Sequence, residues 1–294
     1  MPELPEVETI RRHLVSNLVG KEIADVEIRT PKQFIGDPRK ILHQTIENVI
    51  RSGKVLSFVL KNGEFISIHL KMSGQLLFTP DAKHAEFRYP IPLADGATLP
   101  AKTTRVILTF SDGSALFFND MRKFGWLKLS SRPEGPTSPD AISNNFTPTY
   151  LSTVTRKTKK AIKMVLTDQD LIAGIGNIYV NDALYLAYIN PIRPANSLSD
   201  QEIEKLYIAI KTVLEKSIEL KGSSAKDELY VLPDSSKGGY QNHFLAYHQH
   251  GKKCSRCGDT FVRIVQGGRS SFYCPTCQPI RTELPPSAKD PTLF

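Results

Sequence analysis

CSRCGDTFVRIVQGGRSSFYCPTC, residues 254–277, decides how the rest of this chain is read. The pattern is C-x2-C, sixteen residues, then C-x2-C. Four thiolates at this spacing complete a tetrahedral zinc site on two knuckles of a hairpin. Cys254, Cys257, Cys274 and Cys277 are the chain's only cysteines, and such paired spacing makes four unconnected buried thiols a poor alternative. Four protein ligands leave no open coordination position, so the expected ion is one structural Zn2+ per chain. Between the knuckles, QGGRSS sets Arg269 at a glycine-rich hairpin tip. An arginine there either meets phosphate or is merely solvated.

Outward from the hairpin, 294 residues suggest two domains, each large enough to bury a core. The chain is 40% hydrophobic and 23% charged, the balance of a globular protein. No run of about 18 apolar residues is present, so no membrane span is expected. The first residues carry acids and prolines rather than a basic segment followed by an apolar one, which argues against a signal peptide. The expected home is the cytoplasm. A net charge of +8 favours polyanionic partners, although it serves solubility equally well. Four clustered cysteines point to metal, not to a disulfide framework.

PELPEVETIRRHLVSNLVG, residues 2–20, reads as an amphipathic helix. Val7, Ile10, Leu14 and Leu18 share one face, Pro5 suits the first turn and Gly20 ends it. From about 22 to 130 the period shortens to two, in EIADVEIR, KVLSFVLK, EFISIHL, RVILTF and ALFFND, with turns at KNG and SDG. The fold class is therefore α+β: an amino-terminal β-sandwich, residues 1–131, carrying the first helix. Residues 79–104 read as a long irregular loop within it. A proline-, glycine- and serine-rich linker at 132–146 leads to a helical domain at 147–245. The polar, glycine-rich 220–243 stretch reads as a mobile loop, 246–280 as the zinc hairpin, and 281–294 as a frayed tail.

Several further residues carry chemistry only in combination. Met-Pro at the start exposes a secondary amine at Pro2 once Met1 is removed. An α-amino group titrates near ~7.7–8.0, well below a lysine. Most such prolines do nothing. AGIGN (173–177) is a glycine-flanked turn between apolar helical stretches. Its amides and Asn177 would hold a phosphate at a helix amino terminus, or form an ordinary packing corner. RKTKKAIK (156–163) is a basic approach or a solvated face. HLKMSG (69–74) and NDMRKFG (119–125) each end or turn a strand, where Met72 and Phe124 would ordinarily be core and Arg122 a surface charge.

Taken together, PELPEVE, GKVL, HLKMSG, NDMRKFG, AGIGNIY and the cysteine hairpin change that balance. In this order and spacing, from residue 2 to about 278, the chain resembles the formamidopyrimidine-DNA glycosylase family of base-excision repair enzymes. The resemblance implies a helical domain with a helix-two-turn-helix and DNA lying between the domains. It implies that Pro2 attacks C1′ of the damaged nucleotide and forms a Schiff base, with Glu3 as general acid and Glu6 organising the site. The iminium is an electron sink that acidifies the 2′ protons and permits elimination of the 3′ phosphate. Lys54 matches the acid–base lysine of β-elimination, and Arg269 the arginine of δ-elimination. Met72, Arg122 and Phe124 match the wedge that fills the space left by an extruded base. Asn177 and Lys163 match phosphate clamps, and Lys159 falls close to another. GGYQNH, with Tyr240, matches the loop that closes over the flipped base.

The chain departs from the family pattern at four places. KTTR (102–105) stands where K-H-x-H is usual, so a DNA-contacting histidine becomes Thr103, and Arg105 replaces part of its charge. D-E after the glycine turn appears as Asn181-Asp182, Lys71 replaces a common glycine, and the 79–104 loop is longer. The expectation is a monomer that excises 8-oxoguanine and formamidopyrimidines from double-stranded DNA and nicks the strand by β,δ-elimination. Two rivals stand beside it: an endonuclease VIII-like enzyme for oxidised pyrimidines, and an inactive zinc-hairpin DNA-binding protein.

Overall fold

The computed structural model describes residues 1–92, 94, 96–225 and 229–280; the segment expected to fray, 281–294, lies outside the described residues. Helix α1 (Leu4–Leu18) precedes nine strands: β1 (Ile23–Ile28), β2 (Phe34–Ile35), β3 (Ile46–Ser52), β4 (Val55–Leu60), β5 (Phe65–His69), β6 (Gly74–Thr79), β7 (Thr104–Phe110), β8 (Ala115–Asp120) and β9 (Trp126–Ser130). They form a four-stranded sheet in the order β1-β7-β8-β6 and a five-stranded sheet in the order β2-β9-β5-β4-β3. Pairing is antiparallel except between β2 and β9. Gly63 and Gly113 take the left-handed φ that the KNG and SDG turns require.

Phe58, Ile66 and Ile68 of one sheet meet Leu76, Leu108 and Phe118 of the other in a single core. Val7, Ile10, Leu14 and Leu18 of α1 join it through the helical face that their spacing sets. Leu4, one turn earlier, belongs instead to the core of the second half. That half contains α2 (Pro148–Arg156), α3 (Ile162–Leu166), α4 (Asn177–Leu186), α5 (Asp200–Glu219), β10 (Val262–Gln266) and β11 (Arg269–Tyr273). Residues between the halves are tied down: Glu134 pairs with Lys128 at 2.7 Å, and Ser52 Oγ donates to the Pro136 carbonyl.

Two stretches differ from the sequence reading. Within 79–104, residues 80–103 contain no named strand among the described residues, yet they are not a loose loop. Phe87, Ile91 and Leu99 pack with Leu77, Ile107 and Phe117 as a third apolar core, on the face of the four-stranded sheet turned away from the sandwich interior. Both faces of that sheet are thereby covered, which is why β8 is buried along its whole length. The second stretch is 220–243. Its described part is built into the protein, with Tyr230 and Leu232 in the sandwich core and Val231 in the third core.

Candidate active site

The first turn of α1 is held by both halves of the chain. Pro2 is buried, and Glu3 and Glu6 are almost wholly so. The Glu3 amide donates to Glu6 Oε2 at 2.8 Å. Glu6 Oε1 accepts from the Ser223 amide at 2.8 Å and from the Tyr179 hydroxyl, which itself accepts from Ser217 Oγ. Burial, reinforced by the neighbouring Glu3 charge, pushes the Glu6 carboxyl above its usual range. Glu3 Oε1 accepts from the Ile178 amide at 3.0 Å, and Oε2 is buried with no partner. A carboxylate oxygen left unpaired in the interior is rare and calls for a partner.

The AGIGN turn makes this arrangement sterically feasible. A Cβ on Gly176 would lie 2.1 Å from the Glu3 carboxyl carbon, and one on Gly174 would lie 2.4 Å from Leu4 Cδ1. Read from sequence, the turn's amides and Asn177 hold a phosphate or form a packing corner. The structure packs the turn's glycines against Leu4 and Glu3 and commits the Ile178 amide, just past the turn at the start of α4, to Glu3. A carboxylate is an anion that a helix amino terminus favours. Lys54, only 6% exposed, reaches across to donate to the Ile175 carbonyl at 3.0 Å. Burial lowers its ammonium below the usual lysine range; Glu3 opposes that shift and Arg269 adds to it. Gln169, which nothing in the sequence singled out, accepts from the Gly174 amide and donates to the Ile175 carbonyl. Its only sequence signal is position, a few residues before a glycine turn.

A cavity of about 400 Å³ opens at this point, lined by Met1, Lys54, His69, Lys71, Gln169 and Arg269 among others. Burial, then the Lys71 and Lys54 charges, lowers the His69 imidazole to about 4, so it is neutral at physiological pH. A neighbouring cavity of about 540 Å³ is lined by Lys160, Lys163, Met164, Asn177, Gly267 and Arg269 among others. Asn177 Oδ1 is buried there without a partner. Lys163 Nζ donates to the Ser270 carbonyl and Ser271 Oγ, each at 2.7 Å, so its ammonium grips β11 while its side chain still lines the cavity. Burial, with Arg269 nearby, lowers it to about 8. Lys159 is exposed beside the cavity-lining Lys160.

Met72, Arg122 and Phe124 come together from two turns. Arg122 Nη1 lies 3.2 Å from Met72 Sδ, and its guanidinium sits 4.9 Å from the Phe124 ring centre. Met72 is 46% exposed and Phe124 54%, so neither is a core residue. Beneath them Asp120 is fully buried. It accepts from the Gly125 amide at 2.7 Å, Gln33 Nε2 at 2.9 Å, the Arg122 amide at 3.2 Å and Ser73 Oγ. Ser73 Oγ in turn accepts from the Arg122 amide. Asp120, Ser73 and Gln33 were missed in the sequence, because a buried carboxylate in a motif rich in exposed residues has no local signature. The Thr103 hydroxyl is buried and unpaired, while Arg105 Nε donates to the Asp120 carbonyl, which keeps that guanidinium beside the wedge.

Arg269 follows the Gly267-Gly268 turn, both glycines at positive φ, as a two-residue hairpin requires. The cysteine sulfurs lie within 4.8 Å of one another, with Cys254 to Cys277 at 3.8 Å and Cys257 to Cys274 at 3.4 Å. Zinc–sulfur bonds of about 2.3 Å in a tetrahedron need sulfur–sulfur edges of roughly 3.8 Å, so the four residues fit one structural Zn2+. Asn181 ties the hairpin to α4 by accepting from the Phe272 amide at 2.7 Å. Tyr240 requires a correction. Rather than standing free in a loop, it is buried in the helical core, its ring tilted 54° to that of Tyr179 with centres 5.2 Å apart, and its hydroxyl donates to Asp182 Oδ2 at 2.9 Å. A phenol with a buried carboxylate partner and aromatic neighbours gains nothing by leaving them.

A β-sandwich whose first helix reaches with its first turn into a second, helical unit, closed by a four-cysteine hairpin, is the architecture of a class of lesion-processing DNA enzymes. Residues 1–127 match the formamidopyrimidine-DNA glycosylase N-terminal domain, 137–228 the H2TH domain of the same enzymes, and 251–280 a zinc finger found in FPG and IleRS. The chain belongs to the formamidopyrimidine-DNA glycosylase family. It is 37% identical over 293 residues to the formamidopyrimidine-DNA glycosylase of Pelotomaculum thermopropionicum, covering 96% of this chain and 100% of that one. The MutM (Fpg) protein from Thermus thermophilus superposes with a TM-score of 0.81 at 33% identity, covering 94% and 98% of the two chains. A Lactococcus lactis Fpg in complex with abasic-site DNA superposes with a TM-score of 0.81 at 30% identity, covering 95% and 100%. No helix among the described residues is long and apolar enough to cross a membrane.

Proposed function

We infer that this chain is a base-excision repair DNA glycosylase and abasic-site lyase acting on oxidised purines in duplex DNA. The observation that carries the reading is the Glu3 carboxylate. One oxygen is fixed by the Ile178 amide, the other is free, and the buried Lys54 bonds the same turn. Met1 lines the adjoining cavity, so its removal leaves the Pro2 nitrogen facing that space as a secondary amine.

In this reading Pro2 forms a bond to C1′ as the glycosidic bond breaks and the base departs with its electron pair. Glu3 supplies the proton that this step consumes. The Pro2 nitrogen then gives up its own proton and the C1′–O4′ bond opens, O4′ taking a proton to become a hydroxyl while C1′ becomes an iminium. The iminium draws off the C2′–H electrons, Lys54 takes that proton, and the 3′ phosphate leaves. A second elimination, with loss of the C4′ proton, releases the 5′ phosphate beside Arg269. Burial lowers the Lys54 ammonium below the usual lysine range, the direction that proton removal favours. Met72, Arg122 and Phe124 would enter the duplex as the base leaves it, and Asn177, Lys159 and Lys160 would lie along the phosphates. The zinc hairpin holds Arg269 and, through Lys163, the wall of the second cavity. The reading further takes the protein to act as a monomer wherever chromosomal DNA lies.

Borohydride trapping on duplex DNA containing 8-oxoguanine tests this. The expected result is a covalent protein–DNA adduct, lost when the amino terminus is blocked by a fixed tag. No adduct, or an adduct undiminished by the block, overturns the proposal.

A further inference from the structure

β6 is an edge of the four-stranded sheet, and an edge strand needs a cover. Residues 229–236, arriving from the helical half, supply it. The Phe78 amide donates to the Pro233 carbonyl at 2.8 Å, and Gln75 Nε2 donates to the Leu229 carbonyl at 2.7 Å. Side chains alternate along the segment: Tyr230 and Leu232 enter the sandwich core, and Val231 enters the third core with Phe87, Ile91 and Leu99. The long insert adds a direct bond, from the Tyr89 amide to Ser235 Oγ at 3.1 Å.

The same segment is bonded to the Ser223–Ser224 stretch, which stands as a wall against Glu6 in the first turn of α1. The Tyr230 carbonyl accepts from Ser224 Oγ at 2.9 Å, and the Tyr230 hydroxyl donates to the Lys221 carbonyl at 3.0 Å. Ser224 Oγ accepts from the Gly238 amide, and the Ser224 amide donates to Gln241. Beside it the Ser223 amide donates to Glu6, and the Ser223 hydroxyl is buried without a partner. A Cβ on Gly222 would lie 2.8 Å from Glu6 Oε1, so this wall has no room to shift inward.

We propose that Phe87, Tyr89, Ile91 and Leu99 form a specificity-determining anchor, which through Val231 and Ser235 fixes the Ser223–Ser224 wall against Glu6 and so sets which base the site accepts. The proposal rests on the glycosylase reading above. Val231 and Ser235 are positioning residues; neither touches the cavities. The ordering of a segment that would otherwise be solvated is offset by burial of three consecutive apolar side chains. What it secures is the placement of one unpaired hydroxyl and one amide next to Glu6, and small misplacements of such groups are costly.

The test compares full-length Val231→Ser, Ser235→Ala and Val231→Ile with the parent in two single-turnover assays. One follows excision of 8-oxoguanine from duplex DNA, the other cleavage at a preformed abasic site, where no base is read. Val231→Ser is expected to slow excision by roughly ten- to 10²-fold, the range for displaced positioning groups, with abasic-site cleavage unchanged. Ser235→Ala should show the same split more weakly, and Val231→Ile should restore excision. Hydrogen exchange at the Ser223 and Ser224 amides should quicken in Val231→Ser while α1 keeps its protection, a readout independent of activity. Equal loss in both assays, or no loss in either, overturns the anchor. A parent protein inactive at the abasic site overturns the glycosylase reading instead, and the exchange result then judges the anchor alone.

Discussion

The first turn of α1 and the paired turns carrying Met72, Arg122 and Phe124 solve opposite problems. At α1 the working side chains are buried and the backbone around them is crowded. Glu3, Glu6 and Lys54 reach α4, the Ser223 amide and the Ile175 carbonyl, all far away in sequence. At the wedge the working side chains stand in solvent, and what is buried is their footing, the Asp120 carboxylate with Ser73 and Gln33. Chemistry needs desolvated groups whose charge is set by their surroundings. Prying open a stack needs apolar surface that is free to leave water, on a backbone that does not yield. Rigidity is common to both sites; its location differs.

Three substitutions test that contrast. Glu3→Gln should produce the largest effect, a fall in base release of ~10²–10⁴-fold, the usual worth of a positioned acid, with lesion-duplex binding nearly intact. Quantifying released base alongside a binding titration checks it; parallel loss of binding would mean that Glu3 is structural. Asp120→Ala should cost about 1–3 kcal/mol, since buried amide donors at Gly125 and Gln33 lose their acceptor. Urea unfolding measures that cost, and it should be accompanied by a loss of duplex excision as the two turns separate. Phe124→Ala should change stability by no more than about 0.5 kcal/mol, as expected of an exposed side chain. Excision from duplex should slow while cleavage at a preformed abasic site suffers less. If Phe124→Ala lowers thermal stability and impairs both substrates equally, the phenylalanine is a packing residue and the contrast fails.

Much of this was legible in the sequence because the signal was local. The α1 face, the strand period and the two cysteine knuckles are each set by residues close together in the chain, and all appear as read. The wedge was legible only by resemblance, since Met72 and Phe124 read alone as core. What escaped depends on partners at long range. The glycines at 174 and 176 read either as a phosphate cradle or as a packing corner, and nothing near them in the chain announces that Leu4 and Glu3 fill the space. Tyr240 read as loop because its partner, Asp182, lies in α4. Residues 79–104 read as irregular, yet Glu86 bridges Thr98 in antiparallel fashion, and Phe87, Ile91 and Leu99 are too widely spaced to announce a core that is completed by Val231.

Leu4 lies in the core of the helical half, whereas Val7, Ile10, Leu14 and Leu18 of the same helix lie in the core of the sandwich. This division has a consequence in time. A chain is made from its amino terminus, and its domains fold as they emerge, so the last strand of the sandwich, ending at Ser130, is synthesised well before Ile175 and Ile178. Until those residues arrive, Glu3 has no amide to orient it, Lys54 has no carbonyl to hold, and Pro2 is an ordinary chain end. In the proposed reading, the Pro2 amine is among the first parts of the protein to be synthesised and the last to be armed, and a chain that stops short of α4 would carry that amine without the Glu3 and Lys54 contacts that set it up.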